Sequence, residues 1–350
     1  TMEYSISSSI KKLIAKNKPT VGFIQGQGEP SINAMQQVVQ TLEVLYHLET
    51  VNLNEAISPE KYKSLILVAP RDSFQANELQ LLDSYLKKGG NLFLAINRVD
   101  GNLNNATGQD LNTGLETWLA KKGILIDNKF LVDASCGNIT VRQQQGGFSI
   151  SSQISFPYLP LINDYSDHPA SSGLETVMLQ FASPISYSGD TAIKFKPMAY
   201  SSKKTGLIST PHYFDIQKRW NNSDFPYSKL VVAASLEGPI AGLSRSKMVI
   251  IGDGDFAING EVQQARQINP DNVNLMVNSV DWLSDDTGLI ELRTKGITNR
   301  PLDQIEDGKK VFLKYLNFLL PILLILIYGF FRYKNNKILE IKRMQENYLD

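Results

Sequence analysis

From its amino end the chain alternates short apolar runs with amphipathic stretches. TVGFIQG (20–26) is a run of strand length closing on a glycine, and SINAMQQVVQTLEVLYHL (31–48) then sets Ile32, Met35, Val39, Leu42, Leu45 and Tyr46 at helical spacing. TVNLN (50–54) follows as a second strand. SLILVAP (64–70) is continuously apolar, as in a strand buried on both faces, and ANELQLLDSYLKKGG (76–90) is a helix stopped by Gly89 and Gly90. NLFLAI (91–96) is a fourth strand. The helix TGLETWLAKKG (113–123) buries Leu115, Trp118 and Leu119 and leads into the strand KFLVD (129–133). Strands alternating with helices predict an α/β fold with a doubly wound, mostly parallel sheet.

Beyond position 136 the texture changes. NITVRQQ, FSISSQISF, TVMLQFASPISY and AIKFKPMAY alternate in the manner of strands, with no helical period among them. The α/β texture returns with KLVVAASLEG, SKMVIIGDGDF, the helix NVNLMVNSVDWL (272–283) and a strand at LIELR (289–293). TKGITNRPLDQIEDGKK is polar and broken by Pro301 and Gly308. The expected organisation is an α/β domain in two parts (1–136 and 206–293) around a β-rich insert (137–205), then a linker (294–310), a transmembrane helix (311–333) and a cytoplasmic tail (334–350).

The transmembrane expectation rests on VFLKYLNFLLPILLILIYGFF (311–331), which has no charge between Lys314 and Arg332. Lys314 can snorkel to the interface, Tyr315, Tyr328 and Tyr333 supply interfacial anchors, and Pro321 is tolerated in a membrane helix. Arg332, Lys334, Lys337, Lys342 and Arg343 follow the span, against Lys309, Lys310 and Lys314 before it. This asymmetry places the tail in the cytoplasm and the soluble part in the periplasm, with the chain held in a bacterial inner membrane. The chain starts at Thr1 with no apolar segment of signal-peptide length, so it is expected to begin within a longer protein.

Composition narrows the function. Lys+Arg and Asp+Glu are equal at 35 each, which removes the basic field that draws a protein to nucleic acid. One cysteine, Cys136, excludes an internal disulfide framework and a thiolate zinc cluster. His47, His168 and His212 have no ligand spacing, and neither a Walker A loop nor G-x-S-x-G occurs. SRSK (244–247) fits S-x-x-K but precedes a strand rather than opening a helix. In GQGEPS, Gly26 and Gly28 meet two positions of the dinucleotide fingerprint, but Ser31 stands at the third, and Glu29 would repel a pyrophosphate. Asp253 and Asp255 in GDGDF, at i and i+2, would share a face of an extended segment and could approach a hard cation. The blander reading, aspartates accepting backbone N–H groups in a glycine turn, is preferred. No catalytic, metal or cofactor set is assigned; the candidate ligand or partner cleft is Gly26, Gln27, Gly28, Glu29, Arg71, Asp253 and Asp255.

The first-strand GFIQGQGEP, the segment LILVAPRDSFQANELQLLDSYLKKGGNLFLAI, the late MVIIGDGDFAING and a C-terminal span with a basic tail resemble, in this order, the GldG family of gliding-motility-associated ABC transporter auxiliary proteins of Bacteroidetes. The family's first motif usually reads G-H-G-E; here Gln27 replaces the histidine while Gly26, Gly28 and Glu29 match. The middle segment is also similar to class I glutamine-amidotransferase-like folds, but its loop carries Pro70, Arg71 and Asp72 and no cysteine, which implies the fold without that chemistry. The resemblance implies a non-catalytic, membrane-anchored extracytoplasmic component working with a permease subunit and a separate ATPase subunit in gliding motility. It also implies an earlier extracytoplasmic region and an N-terminal span preceding Thr1. The competing expectation is a carbohydrate- or nucleotide-binding hydrolase-like domain with its cleft at the carboxyl ends of the strands.

Overall fold

A computed structural model describes residues 18–145, 148–261, 265–285 and 307–346. The chain divides into two units, Thr1–Asn299 and Arg300–Asp350. The first begins β1 (Thr20–Ile24), a 3-10 turn (Ile32–Met35), α1 (Gln36–Leu42), β2 (His47–Val51), β3 (Tyr62–Val68), α2 (Ala76–Lys87) and β4 (Asn91–Ala95). Short elements follow: β5 (Val99–Asn102), β6 (Thr107–Asp110), α3 (Leu115–Ala120), β7 (Ile124–Ile126) and β8 (Lys129–Asp133). A long hairpin of β9 (Cys136–Gln145) and β10 (Phe148–Ile162) leads to β11 (Asp164–Tyr165), β12 (Val177–Met178), β13 (Ile185–Tyr187), β14 (Lys194–Tyr200), β15 (Thr205–Ser209) and β16 (His212–Tyr213). The unit closes with β17 (Val231–Gly238), β18 (Ser246–Ile251) and α4 (Pro270–Ser284).

An eight-stranded sheet organises these elements in the order β11-β14-β17-β18-β4-β3-β1-β2. β2, β1, β3, β4 and β18 are mutually parallel, whereas β17, β14 and β11 add antiparallel along one side. The sheet is therefore mixed. Alternate residues feed two cores: Val21, Phe23, Ile66, Val68, Phe93, Val249 and Ile251 face one, with α1 and α4 packed over it. Ile24, Leu65, Leu67, Leu92, Leu94, Met248 and Ile250 face the other, beneath Leu82, Tyr85 and Leu86 of α2 and Trp118 and Leu119 of α3. Burial on both faces explains why these strands read as unbroken apolar runs. Local signals set the helix ends: Gln75 and Glu78 close a capping box on α2, and Asn269 accepts from Asp271 N ahead of Pro270 at the start of α4.

Several strands depart from the expected plan. KFLVD does form β8, but it pairs antiparallel with β15 in a small separate sheet rather than joining the parallel one. An aromatic cluster of Phe130, Phe156, Tyr158, Phe181 and Phe214 lies under this region and gives β8 a hydrophobic partner away from the main sheet. AIKFKPMAY, read as part of the insert, supplies β14 to the main sheet. The second strand comes earlier than TVNLN, because α1 stops at Leu42 and the chain is extended again from His47. LIELR, the first 17 positions and linker residues 294–306 lie outside the described residues.

The second unit contains α5 (Asp307–Glu346), with Pro321 inside it. Its stretch Gly308–Met344 is long and apolar enough to cross a membrane, and its most apolar part is unburied. Helical rise makes its 40 residues about 60 Å long, roughly twice the hydrocarbon thickness of a bilayer. The residues expected as linker end, span and tail lie, from Asp307 to Glu346, in one continuous helix.

Candidate functional site

The chain passes from β1 over one face of the sheet, through α1, to β2, and from β3 over the other face, through α2, to β4. The carboxyl ends of β1 and β3 therefore flank a topological switch point, the crevice in which open α/β sheets bind ligands. Two loops meet there. Gln27 O accepts both Arg71 N and Asp72 N at 2.9 Å, stitching the loop after β1 to the loop after β3. Gly26 (φ 125°) and Gly28 (φ 75°) give the first loop a backbone that other residues rarely adopt. At Gly28 a Cβ would also meet Asp72 Oδ2 at 2.9 Å.

Within this loop Glu29 folds back on its own backbone. Its Oε2 accepts Gln27 N at 2.7 Å. Burial raises the Glu29 pKa, the amides of Glu29, Gln27 and Gly26 pull it down, and the Asp72 charge pushes it up again. The Gln27 amide, which a phosphate in this loop could use, is thus held by a side-chain carboxylate of the same loop, which goes beyond simple repulsion. Gln27 is buried, and its Nε2 donates to Glu78 Oε1 at 2.8 Å near the start of α2.

The GDGDF stretch ends β18 and does not act as a pair. Asp253 is fully buried and turned inward: its Oδ1 accepts Asp255 N at 2.7 Å and its Oδ2 accepts Gln180 N at 2.6 Å. Burial, then the Asp255 charge, raises its pKa well above the usual carboxylate range. Asp255 points elsewhere, accepting Asn97 Nδ2 at 2.9 Å and lying 3.9 Å from Arg71 Nη2. Its pKa is also raised, chiefly by burial, with Arg71 and Asn97 opposing the rise. Arg71 Nη1 is held more closely by Asp100 at 3.0 Å. Gly254 lies so near the β3 loop that a Cβ would fall 2.7 Å from Ala69 Cα, and Ala69 itself has φ 47°.

The structure therefore joins Gly26, Gln27, Gly28 and Glu29 to the Arg71 loop, and joins Arg71 to Asp255, while Asp253 is a structural residue beneath the rim. Four residues outside the sequence-based set take part: Asp72, Glu78, Asn97 and Asp100. Asn97 had a usable signal, since it follows the apolar run of β4 at a strand's carboxyl end. The common nucleophiles and bases sit on other elements. Cys136 begins β9 with its thiol pKa raised by burial, His168 packs on Trp282, and His212 bonds Tyr158. Among the described residues, no group of three or more His, Cys, Asp or Glu side chains is placed to hold a metal ion.

The chain is similar in structure to the mmIFT52 N-terminal domain (16% identity, 77% of this chain and 98% of that one, TM-score 0.49). It is also similar to a ThuA-like protein from Parabacteroides merdae (12% identity, 78% and 91%, TM-score 0.40) and to PurLQS from Thermotoga maritima (11% identity, 76% and 100%, TM-score 0.36). No curated protein matches the chain by sequence. A family model described as an ABC-type uncharacterized transport system matches residues 18–284, which span the main sheet from β1 to α4. By that match the chain belongs to this family of ABC-type transport-system auxiliary proteins.

Proposed function

We propose that the chain is the membrane-anchored, extracytoplasmic component of an ABC transporter complex associated with gliding motility, a non-catalytic platform for partner or ligand contact. The observation that carries this reading is the combination, in one chain, of a transport-family α/β unit and a helix whose apolar stretch is wholly unburied. An unburied apolar helix of that length requires lipid or other membrane helices around it. The chain has no Walker A loop of its own, so energy for transport comes from a separate ATPase subunit, with a permease subunit beside the helix. The excess of basic residues following the span supports a cytoplasmic tail and a periplasmic α/β unit. The likeness of GQGE, the 65–96 segment and GDGDF to the GldG family supports the motility assignment.

Affinity purification of the detergent-solubilised full-length chain from its native membrane tests this directly. The permease and ATPase subunits of one ABC system are expected in stoichiometric amounts. Recovery of the chain without either subunit, from membranes in which both are expressed, overturns the proposal.

A further inference from the structure

Two side-chain oxygens in the switch-point loop are buried without a hydrogen-bond partner, Gln27 Oε1 and Glu29 Oε1. Gln27 is only 6% exposed, and turning its amide gives no relief, because Nε2 is committed to Glu78 Oε1 and the exchange would set oxygen against oxygen. The other Glu29 oxygen is already taken by Gln27 N. A buried acceptor left unpaired keeps its desolvation cost without compensation, so two within one short loop call for a partner that oxygen atoms can hold.

The surroundings say what kind of partner. Asp72 presses its carboxylate against Gly28 and is close enough for its charge to oppose ionisation of Glu29. Arg71, the neighbouring cation, is turned away to Asp100 and Asp255. Two carboxylates are thus near enough to repel one another, and both lie on the loops flanking the crevice where open α/β sheets bind ligands. Asp72 is exposed, so the loop is reachable from solvent.

We propose that the Gly26–Glu29 loop and Asp72 bind a divalent cation, with Gln27 Oε1, Glu29 Oε1 and the Asp72 carboxylate as its oxygen ligands. Two carboxylates balance the charge of one divalent ion, and an amide oxygen with carboxylates is a calcium-type donor set that leaves remaining positions to water. The set contains two acidic side chains rather than three, in keeping with the absence of a larger acidic or histidine group among the described residues. Bound there, the ion would tie the loop after β1 to the loop after β3 by their side chains as Gln27 O already does by backbone. The proposal concerns this loop alone and is independent of whether the chain joins a permease and an ATPase.

The test is titration calorimetry of CaCl2 and MgCl2 into the detergent-solubilised full chain after chelation, with KCl as the monovalent comparison and thermal unfolding in parallel. Saturable one-to-one binding of a divalent ion is expected, with a raised Tm. Asp72→Asn, at the surface, and Glu29→Gln, which keeps the side-chain shape, should each weaken binding tenfold or more while leaving the metal-free Tm within a few degrees of wild type. No divalent binding at millimolar concentration, or binding that both variants leave unchanged, overturns the proposal. Co-purification of transporter subunits reads the other hypothesis separately.

Discussion

His168 is 3% exposed, lies 4.9 Å from the Trp282 ring and accepts Ala170 N on Nδ1 at 3.1 Å. Burial, reinforced by Lys196 and Lys247, lowers its pKa to about 4. An unfolded histidine titrates near 6.5, so between the two values the unfolded chain binds more protons than the folded one. Stability from this residue is therefore complete above about pH 6.5 and is lost as pH falls toward 4, by on the order of 3 kcal/mol. Asp253 acts with the opposite sign: its raised pKa favours the folded state at low pH and ceases to do so as pH rises through that value. Comparing wild type with His168→Gln separates the two. The urea midpoint of wild type is expected to drop more steeply between pH 7 and pH 5 than that of the variant; parallel profiles would show that His168 titrates normally. At this scale the sequence exposed the residue types but not their directions. Asp253 and Asp255 share a face only if the backbone stays extended, and the 3-10 turn at Asp255–Ala257 sends one inward and the other to the rim.

Among the elements, β18 shows how a strand end is held. A Cβ on Gly252 would lie 2.0 Å from Ser183 O, in a segment whose own N–H donates to Gly252 O at 2.7 Å. Gly252→Ala must push two backbones apart and is expected to destabilise the α/β unit by about 1–3 kcal/mol or more. Gly308, where a Cβ would meet nothing within 4 Å, is the control: Gly308→Ala should change stability by less than about 1 kcal/mol. Thermal unfolding of the two variants side by side checks this, and equal Tm values would refute the close approach. The elements themselves were largely legible, since β1, β3, α2, β4 and β18 carry strong apolar period and clear stops. Partner choice was not: KFLVD (β8) and KFKPMAY (β14) both read as strands, yet β8, the more continuously apolar, joins a two-stranded sheet and β14 the main sheet.

At the scale of the whole molecule, the proposed membrane anchoring rests on α5. Leu323 lies midway along the uncharged stretch, and an arginine at the centre of a membrane helix costs about 2.5–3.5 kcal/mol. Leu323→Arg is expected to move much of the full chain from the alkaline-washed membrane pellet to the soluble or degraded fraction. Undiminished membrane retention would mean that α5 does not span. The continuation of the helix to Glu346 carries Lys337, Lys342 and Arg343 together with exposed Ile338, Leu339 and Ile341. If the apolar stretch lies in a bilayer, a helical extension of that length reaches past the headgroups.

Properties that depend on neighbours in sequence were readable from sequence: the apolar runs of the strands, the Gly89-Gly90 stop of α2, the uncharged run of α5 and the lack of a Walker A loop. Each is set by contacts or solvation within a few residues, or by the solvent a whole segment requires. Long-range pairing was decided only by the fold. The antiparallel β17-β14-β11 side of the sheet, the inward turn of Asp253, and the meeting of Gln27 and Glu29 with Asp72 and Glu78 depend on which strands become neighbours. Strand pairing is chosen by packing across the entire core, and a segment's own pattern marks it as a strand without naming the strand it will join.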